Sequence, residues 1–397
     1  MTERNVVDFK LSDNDRDILK SVAAEAKASE KYARYYEEHE DEVLPKAFPE
    51  AKGFPSLLER IRRRPDDDTA PFIMQMLIKL EREAHNGVPL RQAPAALGNV
   101  ALNAAGTPEQ KARWGQLMLA MSITEPGAGS DTKAIQTSAR LDGDEWVLNG
   151  DKIFVTNGVR CAGTIVWATV NKSAGRGGIK SFLVLKGTPG FELVRKEKKL
   201  GIRSSDTAAY AFRDCRVPRD HLIGGDESVP RGGGEGSASY KGVLKTFNTT
   251  RPTVAAGGIG KALGAFRYAR DRLAEEGVAV DWDEGRCDRS SAGQVLLELE
   301  ADIEAATLTV LRAAWLASRG QPNNLEASVA KAKGGEVCRS GPQRAMEVLG
   351  AMSLIHDHPV EQYLRDGRIT DIFEGTGQIQ RLVIARAILG YSSAELT

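Results

Sequence analysis

The stretch Met121-Ser-Ile-Thr-Glu-Pro-Gly-Ala-Gly-Ser-Asp131 stands where the chain changes its period. On its N-terminal side, residues 11–117 carry apolar side chains every three or four positions with few β-branched runs, the pattern of amphipathic helices. On its C-terminal side come short β-rich segments bounded by Gly or Asp: Trp146-Val-Leu-Asn-Gly-Asp-Lys-Ile-Phe-Val-Thr156, Thr164-Ile-Val-Trp-Ala-Thr-Val170, Lys180-Ser-Phe-Leu-Val-Leu185 and Ala208-Ala-Tyr-Ala-Phe212. The quoted stretch itself reads as strand up to Thr124. Its Pro-Gly-Ala-Gly-Ser run then exposes backbone N–H groups and hydroxyls in a tight turn. Such a turn can cradle a pyrophosphate or another anion, and it can equally be a plain Gly-rich β-turn.

Upstream, Thr107-Pro108-Glu109-Gln110 opens the last helix before the change. Thr107 can cap, Pro108 suits the first turn and Gln110 can complete a capping box. Downstream, Gly232-Gly-Gly-Glu-Gly-Ser-Ala-Ser239 packs no core and reads as a connection. Helical periodicity resumes over 241–274, 292–319, 325–349, 360–365 and 378–389, enough for a four-helix bundle. The expected organisation is α+β: an N-terminal α-helical domain over 1–118, a β domain over 119–225, a Gly-rich connection over 226–240 and a helical bundle domain over 241–397. No internal repeat of fixed period occurs.

The 397 residues carry 54 Lys+Arg and 54 Asp+Glu, so the chain lacks the basic excess that nucleic-acid backbones require. The longest charge-free run, residues 92–108, contains Pro94, Asn99 and Asn103 and is too short and polar to span a bilayer. The opening Met1-Thr2-Glu3-Arg4-Asn5 leads into acidic amphipathic sequence without a charged-then-apolar leader, and the expectation is a cytoplasmic chain. Cys161, Cys215, Cys287 and Cys338 have no C-x-x-C spacing, which points to four reduced thiols and no zinc site. His356 and His358, at i and i+2 beside Pro359, give no ligand set. Gly257-Gly-Ile-Gly-Lys-Ala262 lacks the spacing of a phosphate loop and reads as a face where helices approach closely.

A second segment bears on chemistry: Asp371-Ile-Phe-Glu-Gly-Thr-Gly-Gln-Ile-Gln-Arg381. Glu374 lies between Phe373 and Gly375 just before the last helix. A carboxylate in apolar surroundings is a candidate base, and an acid at a helix start is also a plain N-terminal preference.

Together and in this order, these segments resemble the acyl-CoA dehydrogenase family. Further matching motifs are Leu148-Asn-Gly-Asp-Lys-Ile-Phe-Val-Thr-Asn-Gly158, Gly201-Ile-Arg-Ser-Ser-Asp-Thr207 and Arg251-Pro252; the likeness is weaker up to Leu90. The resemblance implies a central β-barrel-like domain with FAD between it and the C-terminal bundle. It implies flavin or pantetheine contacts from Met121, Ile123, Thr124, Gly129 and Ser130. Phe154 stands where the family usually has a Trp stacked on the isoalloxazine, with Val155 and Thr156 at its rim and Thr376 and Gln378 as C-terminal FAD contacts. Ser130, Asn248, Arg251 and Phe373 fall beside the substrate, with Phe373 where many relatives have Tyr.

The reaction so implied is α,β-desaturation of an acyl-CoA thioester to a trans-2-enoyl-CoA. Glu374 takes the α-proton, a hydride passes to flavin N5, and a backbone N–H and a ribityl hydroxyl of FAD meet the enolate oxygen. Some relatives place the base just before Arg-Pro, but Thr250 stands there. An electron-transfer flavoprotein is the expected acceptor. An oxidase that passes electrons to oxygen is an alternative, and a non-catalytic assembly subunit is another.

Two family elements are missing. The ungapped position of the Arg-Lys-x-Phe-Gly element falls on Glu276, within Leu273-Ala-Glu-Glu-Gly277, and the Gln-x-x-Gly-Gly-x-Gly element reads Glu347-Val-Leu-Gly-Ala-Met-Ser353. Both belong to the part of the FAD site that a neighbouring subunit completes. The expectation is a homo-oligomer, dimer or tetramer, in which Arg272, Arg286 or Arg289 substitutes. The alternative is a heteromeric enzyme in which this chain supplies Glu374 and another chain the phosphate-binding Arg. Chain length, branching or a ring in the acyl group stay open; they depend on packing around 74–80 and 92–102. Arg91 meets an acyl carboxylate only if it points inward, and a surface position is the plainer expectation.

Overall fold

The computed structural model describes residues 11–40, 71–85, 97–229, 238–278, 280–281, 283, 285, 288–391 and 395. Arg91, Arg286, Cys287 and residues 230–237 of the Gly-rich run lie outside them.

The N-terminal part is helical: α1 (Asp13–Ser29), α2 (Ala33–Glu38), α3 (Pro71–Glu83), α4 (Leu97–Ala105) and α5 (Pro108–Trp114). Capping boxes start two of these. Ser12 and Asp15 exchange side chain to backbone bonds at 3.2 Å each, and Thr107 and Gln110 do the same at 3.2 and 3.1 Å. Gln110 also donates to the carbonyls of Asp220 and Leu222 at 2.9 and 2.7 Å, which ties the helix to the end of the strand region.

Seven strands follow: β1 (Leu119–Ser122), β2 (Ser138–Asp142), β3 (Glu145–Thr156), β4 (Gly163–Thr169), β5 (Ile179–Leu185), β6 (Phe191–Lys196) and β7 (Thr207–Pro218). The path runs β1-β4-β2-β3-β7-β6, with β5 paired to β4. β1 lies parallel to β4 in the register Leu119 to Gly163, whereas β3 and β7 are antiparallel with register shifts between Leu148 and Gly150 and between Lys152 and Val155. The period of 2 sorts side chains onto two faces. Val166, Ala168, Phe182 and Val184 join Trp146, Leu148, Tyr210 and Phe212 in the interior of the curled sheet. Ile165, Trp167, Ile179 and Leu183 face the other way, onto Leu102 and Trp114 of α4 and α5. β4 and β5 are therefore covered on both faces, which explains their unbroken apolar reading.

The C-terminal bundle consists of α6 (Ala238–Glu275), α7 (Ser291–Ser318), α8 (Asn324–Leu349), α9 (Val360–Gly367) and α10 (Gly377–Leu389). α6 begins at Ala238, inside the stretch expected as connection, because Ala, Ser and Tyr there join the helix that follows. The glycines of α6 sit at close helix crossings: a Cβ on Gly258 would meet Thr370 at 2.4 Å, and one on Gly260 the Leu80 carbonyl at 2.3 Å. The core of the bundle runs through Ile259, Phe266, Leu296, Leu299, Val310 and Val337, with Ile73, Met76 and Leu80 of α3 packed into it.

The sheet docks on the bundle through the loop after β6. The Ile202 N–H donates to Asp366 at 2.5 Å and Arg365 donates to the Leu200 carbonyl at 3.1 Å, while Arg203 ties the same loop to the N-terminal part through Glu40 at 2.8 Å. That loop therefore lies against α9, whose C-terminal end leads through a short turn to Glu374. Cys161, Cys215 and Cys338 are free and buried. Among the described residues, no helix is long and apolar enough to cross a membrane, and no His/Cys/Asp/Glu group has metal-binding geometry.

Candidate active site

Two groups of residues make up the site. The first is built on β1 and β3. The strand β1 delivers Met121, Ile123 and Thr124 half-buried, and the turn beyond it carries Gly129 and Ser130 at the surface. This turn is pinned from below by a buried ion pair, Lys152 Nζ to Glu125 Oε1 at 2.7 Å. Glu125 also accepts the N–H groups of Gln136 and Thr137 at 2.6 and 3.0 Å, while Lys152 donates a second bond to the Ile123 carbonyl at 2.9 Å. Burial disfavours both charges. At Glu125, Lys152 and the backbone donors outweigh burial and hold the carboxyl below its ordinary value; at Lys152 burial prevails and pushes the amine down to about 8.

Next to it, the irregular register of β3 turns Phe154 outward. Its φ is 57°, in the left-handed region, and the ring is 62% exposed. A strand would normally hide such a ring or exchange it for a polar residue. The Ile153 N–H donates to the Thr124 carbonyl at 2.9 Å, so the bulge and the turn form one surface. Thr156 is half-buried beside it. Val155 places its side chain in the interior of the sheet, 1% exposed, so only its backbone faces the surface.

The second group surrounds Glu374. Its carboxylate accepts from Thr250 Oγ1 at 2.9 Å, and Arg251 of the same helix is near enough to interact electrostatically. Desolvation raises the Glu374 carboxyl above its ordinary value, against the opposing pulls of the Thr250 hydrogen bond, Arg251 and Lys331. Arg251 also reaches Ser328 Oγ at 3.4 Å. The Arg-Pro motif has a local cost. Pro252 lies inside α6 and has no N–H for the carbonyl four residues back, Asn248. The Asn323 side chain fills that role, donating to the Asn248 carbonyl at 3.2 Å. Phe373 is 38% exposed, Thr376 caps α10 through the Ile379 N–H at 3.2 Å, and Gln378 is exposed on its first turn.

Thr250, Lys331, Gln380, Glu125 and Lys152 join the site without having been singled out as members of it. Glu125 and Lys152 sit inside motifs quoted above, and Lys331 shows itself in sequence only as a cation on an Ala-rich helix face. At the positions of the missing family elements, Glu276 and Glu347 are both exposed, and Arg272 pairs with Glu275.

Comparison with known proteins gives the family. The model of the acyl-CoA dehydrogenase middle domain matches residues 120–215, and that of the acyl-CoA dehydrogenase C-terminal domain matches residues 240–389. The mitochondrial short-chain specific acyl-CoA dehydrogenase of Bos taurus is 37% identical over 300 residues, 72% of this chain and 67% of its own length. The short-chain specific acyl-CoA dehydrogenase of Clostridium acetobutylicum is 35% identical over 296 residues, 72% of this chain and 74% of its own. The structure of butyryl-CoA dehydrogenase from Megasphaera elsdenii superposes with a TM-score of 0.77 at 28% identity, covering 96% of this chain and all of the other.

The molecule is thus a flavin-dependent oxidoreductase by fold and by match. The chain belongs to the acyl-CoA dehydrogenase family. It acts on acyl-CoA, and its cofactor is FAD.

The described residues fit that cofactor. An uncovered aromatic ring on a left-handed bulge offers a stacking face. Half-buried Thr124 and Thr156 and exposed Ser130 offer hydroxyls around it, and a Cβ placed on Gly127 or Gly129 would meet open space.

Proposed function

We propose that the chain desaturates a short-chain acyl-CoA thioester between Cα and Cβ, with Glu374 as the base that removes the α-proton. The observation that carries this is the Glu374 carboxylate itself: largely desolvated, raised in pKa, fixed by Thr250 at 2.9 Å and flanked by the Arg251 cation. Desolvation makes the carboxylate a stronger proton acceptor than one in water, and the Thr250 bond fixes which way it points. Phe154, Thr124, Ser130 and Thr156 would hold the isoalloxazine and its neighbourhood, with Thr376 and Gln378 contributing from α10. FAD, when bound, accepts the β-hydride. The α-proton goes to Glu374, the electron pair left on Cα forms the double bond as the β-hydride departs, and a trans-2-enoyl-CoA remains.

The short-chain assignment rests on the specificity named for the two relatives. An electron-transfer flavoprotein is the acceptor in this reading, and a homo-oligomer completes the FAD site. One observation favours a second reading, a heteromeric enzyme: exposed Glu276 stands where the family has a phosphate-binding cation, and Arg272 is already paired with Glu275.

Anaerobic titration of the FAD-loaded protein with butyryl-CoA tests the proposal. The expected result is bleaching of the visible flavin bands with one equivalent of trans-2-enoyl-CoA formed. FAD-loaded protein whose spectrum no straight-chain acyl-CoA changes would overturn it. Failure to retain any FAD without a second homologous chain would favour the heteromeric reading.

A further inference from the structure

Glu374 and Gly375 are two successive residues with left-handed backbone, φ 59° and 90°. Glycine adopts this at little cost, but a glutamate does not, and an isolated turn of this kind would relax. Two buried side chains hold it. Lys331 Nζ, from α8, donates to the Gly375 carbonyl at 3.1 Å. Gln380 Nε2, from α10, donates to the same carbonyl at 3.1 Å and to the Glu374 carbonyl at 3.3 Å. Both side chains are 0% exposed. Burying the Lys331 ammonium is an expensive way to build a turn, and the nearby Asp371 and Glu374 carboxylates do not offset the cost, since burial still brings the amine down to about 8.

We infer that Lys331 and Gln380 are positioning residues for the reaction, clamping the left-handed Glu374–Gly375 turn so that the carboxylate stays aimed at Thr250 and at the substrate Cα. This rests on Glu374 being the base. Lys331 has a second effect that Gln380 lacks. The groups that act on the Glu374 carboxylate are Thr250 and Arg251 from α6 and Lys331 from α8. Those around the Lys331 amine are Asp371, Glu374, Arg251 and Cys338, and burial brings it down to about 8, so it remains largely cationic at neutral pH. Its charge therefore favours the ionised, proton-accepting form of Glu374.

The test is the rate of flavin bleaching by butyryl-CoA in single-turnover, anaerobic mixing across pH. It compares FAD-loaded wild type, Lys331→Met, Gln380→Met and Glu374→Gln. Gln380→Met should lower the plateau rate by about tenfold or more through misaimed geometry, with the acid limb of the profile unmoved. Lys331→Met should lower the plateau and also move the acid limb to higher pH, because the cation that favours the carboxylate is gone. Wild-type plateau and acid limb in both variants, or a loss confined to thermal stability, would overturn the inference. If Lys331→Met does not yield FAD-loaded protein, the Gln380→Met plateau decides. Bleaching by Glu374→Gln at the wild-type rate would instead overturn the assignment of the base. An inert Glu374→Gln beside unaffected Lys331 and Gln380 variants would overturn the clamp alone.

Discussion

Replacing Lys152 by Met keeps the length of the aliphatic stem while removing an ammonium that is completely buried and bonded to Glu125 at 2.7 Å and to the Ile123 carbonyl at 2.9 Å. The variant leaves a buried carboxylate that has lost its cation. Breaking such a pair from one side costs about 3–5 kcal/mol. Here Glu125 keeps the N–H groups of Gln136 and Thr137, which places the loss near the lower end, and the Ile123 carbonyl left without its donor adds about 1 kcal/mol. The expected loss is thus about 4 kcal/mol, a fall in thermal midpoint of roughly 5 °C at about 1.2 °C per kcal/mol for a chain of 397 residues. Burial lowers the Lys152 amine to about 8 in spite of its partner, so the ammonium gains little on balance from being there. The double variant Glu125→Leu/Lys152→Met should therefore recover most of the loss, as removal of whole buried pairs often does. A double-mutant cycle on the thermal midpoint, followed by near-ultraviolet circular dichroism, measures both quantities. Lys152→Met costing less than about 1 kcal/mol, or a double variant worse than the single one, would refute the reasoning. FAD retention should fall in parallel in Lys152→Met, because the freed Ile123 carbonyl loosens Thr124.

Further outcomes follow from the same geometry. The Glu374 carboxyl is raised in the folded protein, so its ionisation opposes folding at and above neutral pH. Glu374→Gln should raise the thermal midpoint at pH 8 and lose that advantage as pH falls below the ordinary carboxylate value, which differential scanning calorimetry at several pH values measures. Phe154→Ala should leave the stability of the FAD-free protein within about 0.5 kcal/mol, since the ring is mostly exposed, and weaken FAD binding about tenfold or more by fluorescence titration; Phe154→Trp should retain it. Gly150→Ala should destabilise by about 1–3 kcal/mol in denaturant melts, because its φ is 151° and the added Cβ would stand 2.4 Å from Thr137 Oγ1.

How much of this was legible in the chain depends on the range of the interactions. The capping box at Thr107 and the apolar runs of β4 and β5 are local, and they read correctly. The glycines of α6 read as a packing face because a phosphate loop has a spacing they lack. β6 places most of its side chains in the open and shows no pattern strong enough to be read, whereas the strand ending near Thr124 was read at β1 in spite of its four residues. At the site, Glu374 stood out as an acid between Phe373 and Gly375. Lys331 did not, because its bond to the Gly375 carbonyl spans 44 residues and leaves no motif. Lys152 hid for a different reason: its charge reads as an exposed position, although alternation from Trp146 and Leu148 puts it on the inward face, and its partner Glu125 is 27 residues away. Asn323 likewise acquires its role only from the bond that Pro252 leaves unmade.

The proposed reaction turns on Glu374 accepting the α-proton. Its most direct test is single-turnover bleaching of the FAD-loaded Glu374→Gln variant by butyryl-CoA, with wild type alongside. The amide keeps shape and the Thr250 contact but cannot take a proton. The expected variant binds FAD and butyryl-CoA, the latter seen as a spectral perturbation, yet does not bleach. Bleaching at the wild-type rate would contradict it and place the base elsewhere.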